Sequence, residues 1–322
     1  MERRGTTLAQ ALRFDGLWWR KFAYLGCVYG PEWWKQLSPP AIAAIIFMLV
    51  GRNRRGAIAN MERILGVRGA PAAAAALRMF AEFAHCMTET MECYGPRPKP
   101  LRLEVSARNA LVDALDEGRG AVVVTGHFGN WDVAAKTLSD YGRPVSLVMA
   151  REANATTHEY VRQARDRAGV RVIYSDSSVF SSLNVIRALR RNEITAIQLD
   201  RASGTSGMRP IPFFGAPAPF PSGPFVLARL SGAPLIPVFI PRLGKRHYAV
   251  RVGGSFTLPR DARDAHALER AMTEVVREFE TVVRLFPTQW FQFAPFWPAD
   301  SVPVEAQPAA CSDTSEPLRA RR

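Results

Sequence analysis

AVVVTGHFGNWDVAAKTL, residues 121–138, joins a short apolar run to an amphipathic stretch. The run at 121–125 predicts a buried strand, and the spacing of apolar residues at 131–140 predicts a helix. Gly126 and Gly129 allow a tight turn between the two elements. A strand followed directly by a helix is the repeating unit of parallel α/β sheets, so this stretch predicts that fold class.

The same rhythm continues along much of the chain. Short apolar runs alternate with amphipathic stretches, which indicates a largely parallel sheet. We therefore predict an α/β fold, in which a mixed, largely parallel sheet is flanked by helices and follows a helical N-terminal region. The predicted strands start at residues 121, 145, 170, 194, 235 and 247, and the predicted helices cover 131–140, 156–168, 178–191, 222–232 and 267–286.

Residues before about 95 carry apolar side chains at three- and four-residue spacing, with almost no strand signal. This pattern predicts helices. The proline-rich stretch at 95–103 interrupts the pattern, so we predict a boundary there. The predicted organisation is a helical, membrane-associating region over 1–95, an α/β core over 96–299 and a disordered, polar tail over 300–322.

The most apolar segment, AIAAIIFMLV at 41–50, has ten residues. A helix of that length cannot cross about 30 Å of hydrocarbon, so no membrane-spanning helix is predicted. The segment fits either a core helix or a helix that lies in the membrane interface. Nearby aromatic and basic residues resemble an interfacial belt, although they would equally pack a helical domain: Trp18, Trp19, Arg20, Lys21, Trp33, Trp34 and Lys35.

The chain is strongly basic, with 42 Lys and Arg against 29 Asp and Glu and a net charge of +13. Such a surface attracts nucleic acid, an anionic membrane leaflet or phosphorylated substrates. We predict no nucleic-acid partner, because the sequence has no zinc spacing, RNA-recognition signature or dense basic helix. The four cysteines show no C-x-x-C spacing, so we predict no metal site and a reducing, cytoplasmic location.

His127 lies two residues after the predicted strand at 121–125, and Asp132 comes five residues later. Ligands of open α/β sheets bind beyond the carboxyl ends of the strands, which is where His127 falls. If Asp132 folds back to the imidazole, it fixes the tautomer and leaves the other nitrogen as a base for a hydroxyl that attacks an activated carbonyl. No G-x-S-x-G elbow occurs, which favours direct transfer over a covalent acyl-enzyme. The spacing alone also fits a structural histidine.

TGHFGNWD, residues 125–132, resembles the H-x4-D/E block of glycerolipid acyltransferases. It resembles more closely the H-x-G-N-W-D/E form of the bacterial lipid A biosynthesis (lauroyl/myristoyl) acyltransferases and the related phosphatidylinositol mannoside acyltransferases. The resemblance runs from about residue 15 to 298. Three further stretches agree in order and spacing: VMAREANATTHEYVRQAR from 148, AIQLDRASGTSGMRPIPFFGAPAPFPSGPFVLARLSGAPLIPVFI from 196 and FPTQWFQFAPFW from 286.

The resemblance implies an enzyme that moves a fatty acyl chain from an acyl carrier protein (ACP) or CoA thioester to a hydroxyl of a membrane lipid, such as a lipid A precursor or another glycolipid. His127 would be the general base and Asp132 its orienting partner. No metal or bound cofactor beyond the donor thioester is implied. The enzyme would lie on the cytoplasmic face of the bacterial inner membrane, peripheral or monotopic, against an anionic surface. The substrate-binding candidates are Arg151, Glu152, Asp200, Arg201 and Gly223. Arg151 matches a family position and could bind a phosphate or the developing oxyanion, or be a surface arginine, and the neighbouring Glu152 is the alternative acid there. Asp200 and Arg201 match the third block and could position the acceptor or brace the site, or form an ordinary ion pair. The loop of Gly223 would open a helix N-terminus as an anion cradle, or serve only as a turn.

Two other functions stay open on the sequence. The same fold could serve as a catalytically silent lipid- or partner-binding module, because a sequence does not show turnover. The other possible function is that of a thioesterase, in which water replaces the acceptor hydroxyl. Rates measured with and without an acceptor separate transfer from hydrolysis.

Overall fold

The computed structural model describes residues 17–106, 109–133, 138, 142–149, 170–174, 179–201, 207–259 and 266–298. In this part of the chain, four helices precede the first strand, and strands and helices then alternate. The helices are α1 Leu17–Tyr29, α2 Glu32–Leu49, α3 Gly51–Leu65, α4 Ala70–Cys93, α5 Asn109–Asp116, α6 Val179–Arg190, α7 Gly223–Ser231 and α8 Ala267–Leu285. The strands are β1 Arg102–Ser106, β2 Ala121–Thr125, β3 Val145–Met149, β4 Val170–Tyr174, β5 Ile194–Gln198, β6 Met208–Phe213, β7 Ala216–Pro221, β8 Leu235–Phe239, β9 Arg242–Gly244 and β10 His247–Val252.

The main sheet has the strand order β1-β10-β8-β2-β5-β3-β4, with β9 paired to β10. Strands β8, β2, β5, β3 and β4 are mutually parallel, whereas β10 is antiparallel to β8. The predicted class, a mixed and largely parallel α/β sheet flanked by helices, is confirmed. Because the parallel strands share one direction, the loops after β2 and β5 leave the same edge of the sheet.

All six predicted strands are present. The sequence analysis missed helix α5, strand β1, the three-residue β9 and both strands of the separate hairpin β6–β7. The hairpin is rich in proline, which normally argues against a strand, but it is a two-stranded ribbon outside the main sheet, where every strand is an edge. The helix predicted at 156–168 and the tail at 300–322 lie outside the described residues, and the division of the chain into domains stays a prediction.

One continuous hydrophobic core joins the N-terminal helices to the sheet. Strand β2 is buried along its whole length, as expected for a central strand covered on both faces. Helix α8 covers the sheet with one apolar side, as its spacing predicts. Its buried residues are Met272, Val275, Val276, Phe279, Val282 and Val283.

Helix α2 is apolar on two opposite sides. One side buries Ala43 and Phe47 in the core, and Phe47 meets the ring of Phe80 on α4 at 5.3 Å. Large apolar side chains on the other side are exposed: Trp33, Leu37, Ile42, Ile45, Met48 and Leu49. Within the described ranges, no single helix has the length and hydropathy to cross a bilayer, and only α2 and α3 together, bent by 104°, pass such a test.

A partly buried ionic cluster ties α2 and α4 to the turn before β10. Nζ of Lys35 lies 2.7 Å from Oε1 of Glu92, and Arg246 binds both Glu92 and Glu32 at 2.9 Å. Lys35 therefore belongs to the core, so the interfacial-belt interpretation is wrong for this residue. The hydrogen bond from Lys245, together with Arg246, lowers the pKa of Glu32 to about 2. Burial alone would raise the pKa of Glu92, but Arg246 and Lys35 outweigh it and lower that pKa.

Acid is expected to weaken this cluster. The pKa values of Glu32 and Glu92 are lower in the folded chain than in the unfolded chain, where a glutamate titrates near about 4.3. Their contribution to the free energy of unfolding is therefore complete above about pH 4.3, and it is lost as the pH falls toward the folded value, about 2 for Glu32.

We expect Glu92→Gln to lower the free energy of unfolding by about 3 kcal/mol at neutral pH, because the buried Lys35 loses its nearest charged partner and keeps only the more distant Glu32, at 3.9 Å. The variant should also lose less stability than the wild type between about pH 5 and pH 3. Urea unfolding across this range tests both effects. Glu117→Gln, which removes a surface ion pair with Arg119, is the matched control, with an expected change below about 1 kcal/mol. An equal loss in both variants would contradict this account of the cluster.

Candidate active site

The register of the sheet brings His127 and Asp200 together. Thr125 and Gln198 are paired at the carboxyl ends of the neighbouring strands β2 and β5. His127 and Asp200 each lie two residues beyond these ends. Residues two apart along an extended chain point to the same side, so the two side chains can meet. Nδ1 of His127 lies 2.8 Å from Oδ1 of Asp200.

Asp200 is buried and accepts two further hydrogen bonds on its other oxygen. Oδ2 accepts the backbone N–H of His127 at 2.8 Å and the indole N–H of Trp290 at 2.9 Å. Burial alone would raise the pKa of Asp200, but His127 and the hydrogen bonds outweigh it and lower the pKa. Asp200 is therefore a carboxylate at neutral pH, which favours the proton on Nδ1 of His127 and leaves the lone pair on Nε2.

The imidazole of His127 remains accessible from outside. Its side chain is 14% exposed, and none of the described residues forms a hydrogen bond with Nε2. The ring of Trp131 meets the imidazole edge to face at 5.3 Å. The histidine therefore has one nitrogen held by the protein and one nitrogen that a substrate can reach.

The loop that carries His127 is fixed through its backbone. Gly129 has φ +55°, and a Cβ there would lie 1.9 Å from the carbonyl oxygen of Ile240, so only glycine fits. The N–H of Gly129 donates to the carbonyl of Gln289 at 2.9 Å, and the N–H of Phe291 donates to the carbonyl of His127 at 2.8 Å. The turn predicted around Gly129 is confirmed, and the segment at 289–291 holds it in place.

Asn130 is buried, and both the oxygen and the nitrogen of its side-chain amide form hydrogen bonds. Oδ1 accepts the backbone N–H of Val133 at 3.2 Å, which caps the helix that begins at 131, and the hydroxyl of Thr90 at 2.9 Å. Nδ2 donates to the carbonyl of Cys86 at 3.2 Å and to the hydroxyl of Tyr248 at 3.1 Å. Asn130 thus connects the catalytic loop to α4 and β10.

The polar network continues from Tyr248 to Glu89 on α4. The Tyr248 hydroxyl donates to Glu89, which also accepts Nε of Arg242 at 3.1 Å. Burial raises the pKa of Tyr248 far above its usual range, so the hydroxyl stays neutral. Gln289 exchanges two hydrogen bonds of 2.7 Å with the backbone of Arg242. Because every group has a partner, the network holds the loop rigidly.

The prediction that Asp132 orients His127 is wrong in this structure, where Asp200 occupies Nδ1. Asn130 caps the following helix, so Asp132 already lies in its first turn, where the helix dipole stabilises a carboxylate. Asp132 is buried, and its carbonyl accepts the Tyr94 hydroxyl at 3.1 Å. The wider assignment of Asp132 to the catalytic residues stays a prediction.

The other candidates have different positions. Asp200, predicted either to position the acceptor or to brace the site, is buried behind His127 and braces it, so its assignment to substrate binding is corrected. Arg201 donates to the carbonyl of Phe291 at 3.0 Å and so braces the segment at 289–291, while its substrate contact stays a prediction. Arg151 and Glu152 lie outside the described residues.

Gly223 begins α7. This helix leads through a short turn into the amino end of β8, so its N-terminus points toward the edge of the sheet that carries His127. An added Cβ at Gly223 would have nothing within 4 Å, so no close approach requires glycine. The anion cradle at this N-terminus stays a prediction.

A narrow apolar cavity of about 40 Å³ adjoins the site. Trp131, which contacts His127, is part of its wall. In the part of the chain that the structure covers, no group of three or more His, Cys, Asp or Glu side chains could hold a metal ion. The cavity lining is Val123, Thr125, Trp131, Leu138, Leu147, Val148, Met149, Ala196, Ile197, Gln198 and Val238.

Comparison with known proteins gives one family and several relatives. The model of the family described as bacterial lipid A biosynthesis acyltransferase matches residues 7–298. A phosphatidylinositol mannoside acyltransferase of Mycolicibacterium smegmatis is 28% identical over 200 residues, which are 62% of this chain and 64% of that protein. One from Mycobacterium tuberculosis is 27% identical over 188 residues, which are 58% of this chain and 57% of that protein. The chain thus matches less than two thirds of the length of these relatives.

Proposed function

Because the chain belongs to the bacterial lipid A biosynthesis acyltransferase family, we propose that it moves a fatty acyl chain from a thioester donor, acyl-ACP or acyl-CoA, to a hydroxyl of a membrane lipid. The observation that carries this proposal is the His127–Asp200 pair, which leaves Nε2 without a hydrogen-bond partner among the described residues, at the carboxyl ends of β2 and β5. The names of the relatives favour a glycolipid as the acceptor, such as a mannosylated phospholipid or a lipid A precursor.

His127 acts as the general base in the proposed reaction. Nε2 takes the proton of the acceptor hydroxyl while the oxygen attacks the thioester carbonyl, and Asp200 stabilises the imidazolium that forms. The new C–O bond then replaces the C–S bond, and the imidazolium returns the proton to the departing thiolate. Neither a metal nor a covalent acyl-enzyme is needed, since the thioester is already activated.

The apolar cavity beside Trp131 is the proposed place for the first carbons of the acyl chain. Its walls are nearly all apolar, and Trp131 both lines the cavity and contacts His127. An acyl chain there would gain the burial free energy of each methylene, about 0.8 kcal/mol. This position keeps the carbonyl carbon near Nε2.

We further propose that the exposed side of α2 rests on the anionic cytoplasmic leaflet of the inner membrane, so that the protein is peripheral or monotopic. An apolar helix is normally covered all round, yet Leu37 is 65% exposed and Met48 is 69% exposed. Arg52 and Arg55 are exposed just beyond this apolar side, at the start of α3. Apolar side chains next to basic ones fit the interface of an anionic bilayer.

The double variant Ile45→Glu/Met48→Glu is expected to bind anionic vesicles at least about 100-fold more weakly. Two apolar side chains that would be buried in the bilayer are lost, and two negative charges that the anionic surface repels are added. Vesicle sedimentation, with and without added salt, measures the binding. Leu230→Glu is the matched control, because Leu230 on α7 is exposed to 55% and lies in another helix. Unchanged binding of the double variant, or equal loss in the control, would contradict the assignment of this surface.

The proposed transfer is tested by offering several acyl-CoA and acyl-ACP thioesters with a bacterial lipid extract and following both thiol release and lipid mass. Release that depends on the acceptor, with a lipid gaining one acyl mass, supports transfer. Release at the same rate without an acceptor supports a thioesterase. No release with any donor from folded protein supports a silent binding module.

A further inference from the structure

We propose that Trp290 is a positioning residue of this active site, whose indole N–H holds the Asp200 carboxylate so that Oδ1 faces Nδ1 of His127. The proposal rests on the proposed function, in which His127 is the base. It assigns part of the catalytic apparatus to a segment near the C-terminal end of the described chain.

The indole is held firmly in a dry environment. Trp290 has no exposed surface, and its Nε1 lies 2.9 Å from Oδ2 of Asp200, which is itself buried. Four aromatic rings of the described chain contact it edge to face, at centroid distances between 4.9 and 5.9 Å. They are Phe213, Phe279, Phe296 and Trp297. Such a ring cannot turn to another acceptor without repacking the cluster.

The same segment also fixes the backbone of the base. Trp290 forms an antiparallel bridge with Phe128, and the N–H of Phe291 donates to the carbonyl of His127 at 2.8 Å. The histidine and its carboxylate are therefore positioned by consecutive residues of one chain segment. A small shift of this segment would move both members of the pair together.

The hydrogen bond from Trp290 has two consequences for Asp200. First, Oδ2 receives two N–H donors, from the indole and from the backbone of His127, so the carboxylate cannot rotate about its Cβ–Cγ bond without losing both. Second, the indole N–H takes up part of the negative charge that would otherwise act on Nδ1. Loss of the indole N–H should loosen the orientation of the carboxylate and make it a stronger partner for the imidazolium.

Trp290→Phe removes the N–H and keeps an aromatic ring. We expect kcat to fall by about 10- to 100-fold with KM changed by less than about threefold, since the substrate does not touch Trp290. The acid limb of kcat/KM against pH should move to higher pH, because the hydrogen bond from Trp290 is one of those that lower the pKa of Asp200, and without it the more basic carboxylate binds the imidazolium more strongly. A purely structural role would lower the amount of folded enzyme without moving the acid limb.

Trp297→Phe is the matched control. Trp297 belongs to the same aromatic cluster, and its indole N–H donates to the carbonyl of Phe213 at 3.0 Å, not to Asp200. Both substitutions should lower the melting temperature, but only Trp290→Phe should lower kcat and move the acid limb. Placing 3-benzothienylalanine at 290, which keeps the double ring and has sulfur in place of N–H, should reproduce the kinetic effect with a smaller loss of stability.

Proton NMR provides a test that does not need turnover. The proton between Nδ1 of His127 and Asp200 should give a low-field signal, assigned by its absence in His127→Gln. The signal should move in Trp290→Phe and stay in place in Trp297→Phe, even if no acyl transfer is found and the proposed function fails. An unmoved signal in Trp290→Phe, or kinetics and pH profiles equal to those of Trp297→Phe, would overturn the role of Trp290.

Discussion

Asp200→Asn is expected to lower kcat by about 1,000-fold while leaving the protein folded. Two N–H groups, from the His127 backbone and from Trp290, hold the Oδ2 position, so the amide oxygen of the new side chain must occupy it. The amide NH2 then faces Nδ1 of His127 and donates to it. That interaction forces the proton onto Nε2, and a protonated Nε2 cannot accept the proton of the acceptor hydroxyl.

Asp132→Asn is the control variant for this prediction, and its activity is compared with that of Asp200→Asn. Both carboxyl groups are buried, but only Asp200 lies on Nδ1 of His127. Initial rates at saturating donor and acceptor, with circular dichroism to confirm folding, are the measurement. If Asp132→Asn loses as much activity as Asp200→Asn or more, the assignment of the orienting carboxylate to Asp200 is contradicted.

His127→Ala is expected to reduce acyl transfer by about 1,000- to 10,000-fold, because the acceptor hydroxyl then loses its base. His127→Gln is the companion variant, since its side-chain amide can still donate to Asp200 and so keeps the buried carboxylate partnered. Equal loss in both, with unchanged melting temperatures, assigns the loss to the missing base. Residual activity in either variant that rises steeply with pH would indicate attack by hydroxyl ionised in solution.

The sequence predicts those strands and helices whose own residues show a clear apolar pattern. Strands such as β2 and β8 are continuous apolar runs, and α8 has a regular apolar side. Each of these elements can therefore be predicted from its own segment of the sequence. The edge strand β1 alternates between exposed and half-buried residues and gives too weak an apolar signal. The hairpin β6–β7 depends on the aromatic core beneath it, where Phe213 stacks on Phe279 at 5.6 Å.

The site was harder to predict because its partners are distant in sequence. His127 could be singled out from the sequence, because it lies just after a strand that the sequence predicts clearly. Asp200 was singled out for the same reason, but its pairing with His127 requires β5 to lie beside β2, although β3 and β4 come between them along the chain. Such strand order is set by tertiary packing and leaves no local signature. The hydrogen bond from Trp290, a further 90 residues along the chain, depends on the same assembly.

The most direct test of the central claim is a mass spectrum of the lipids after incubation with thioester donor and bacterial lipid extract, comparing wild type with His127→Gln at equal amounts of folded protein. The account predicts a lipid heavier by one acyl group with the wild type, and its near absence with the variant. The same product, formed at the same rate by both proteins, would contradict the claim that His127 is the base.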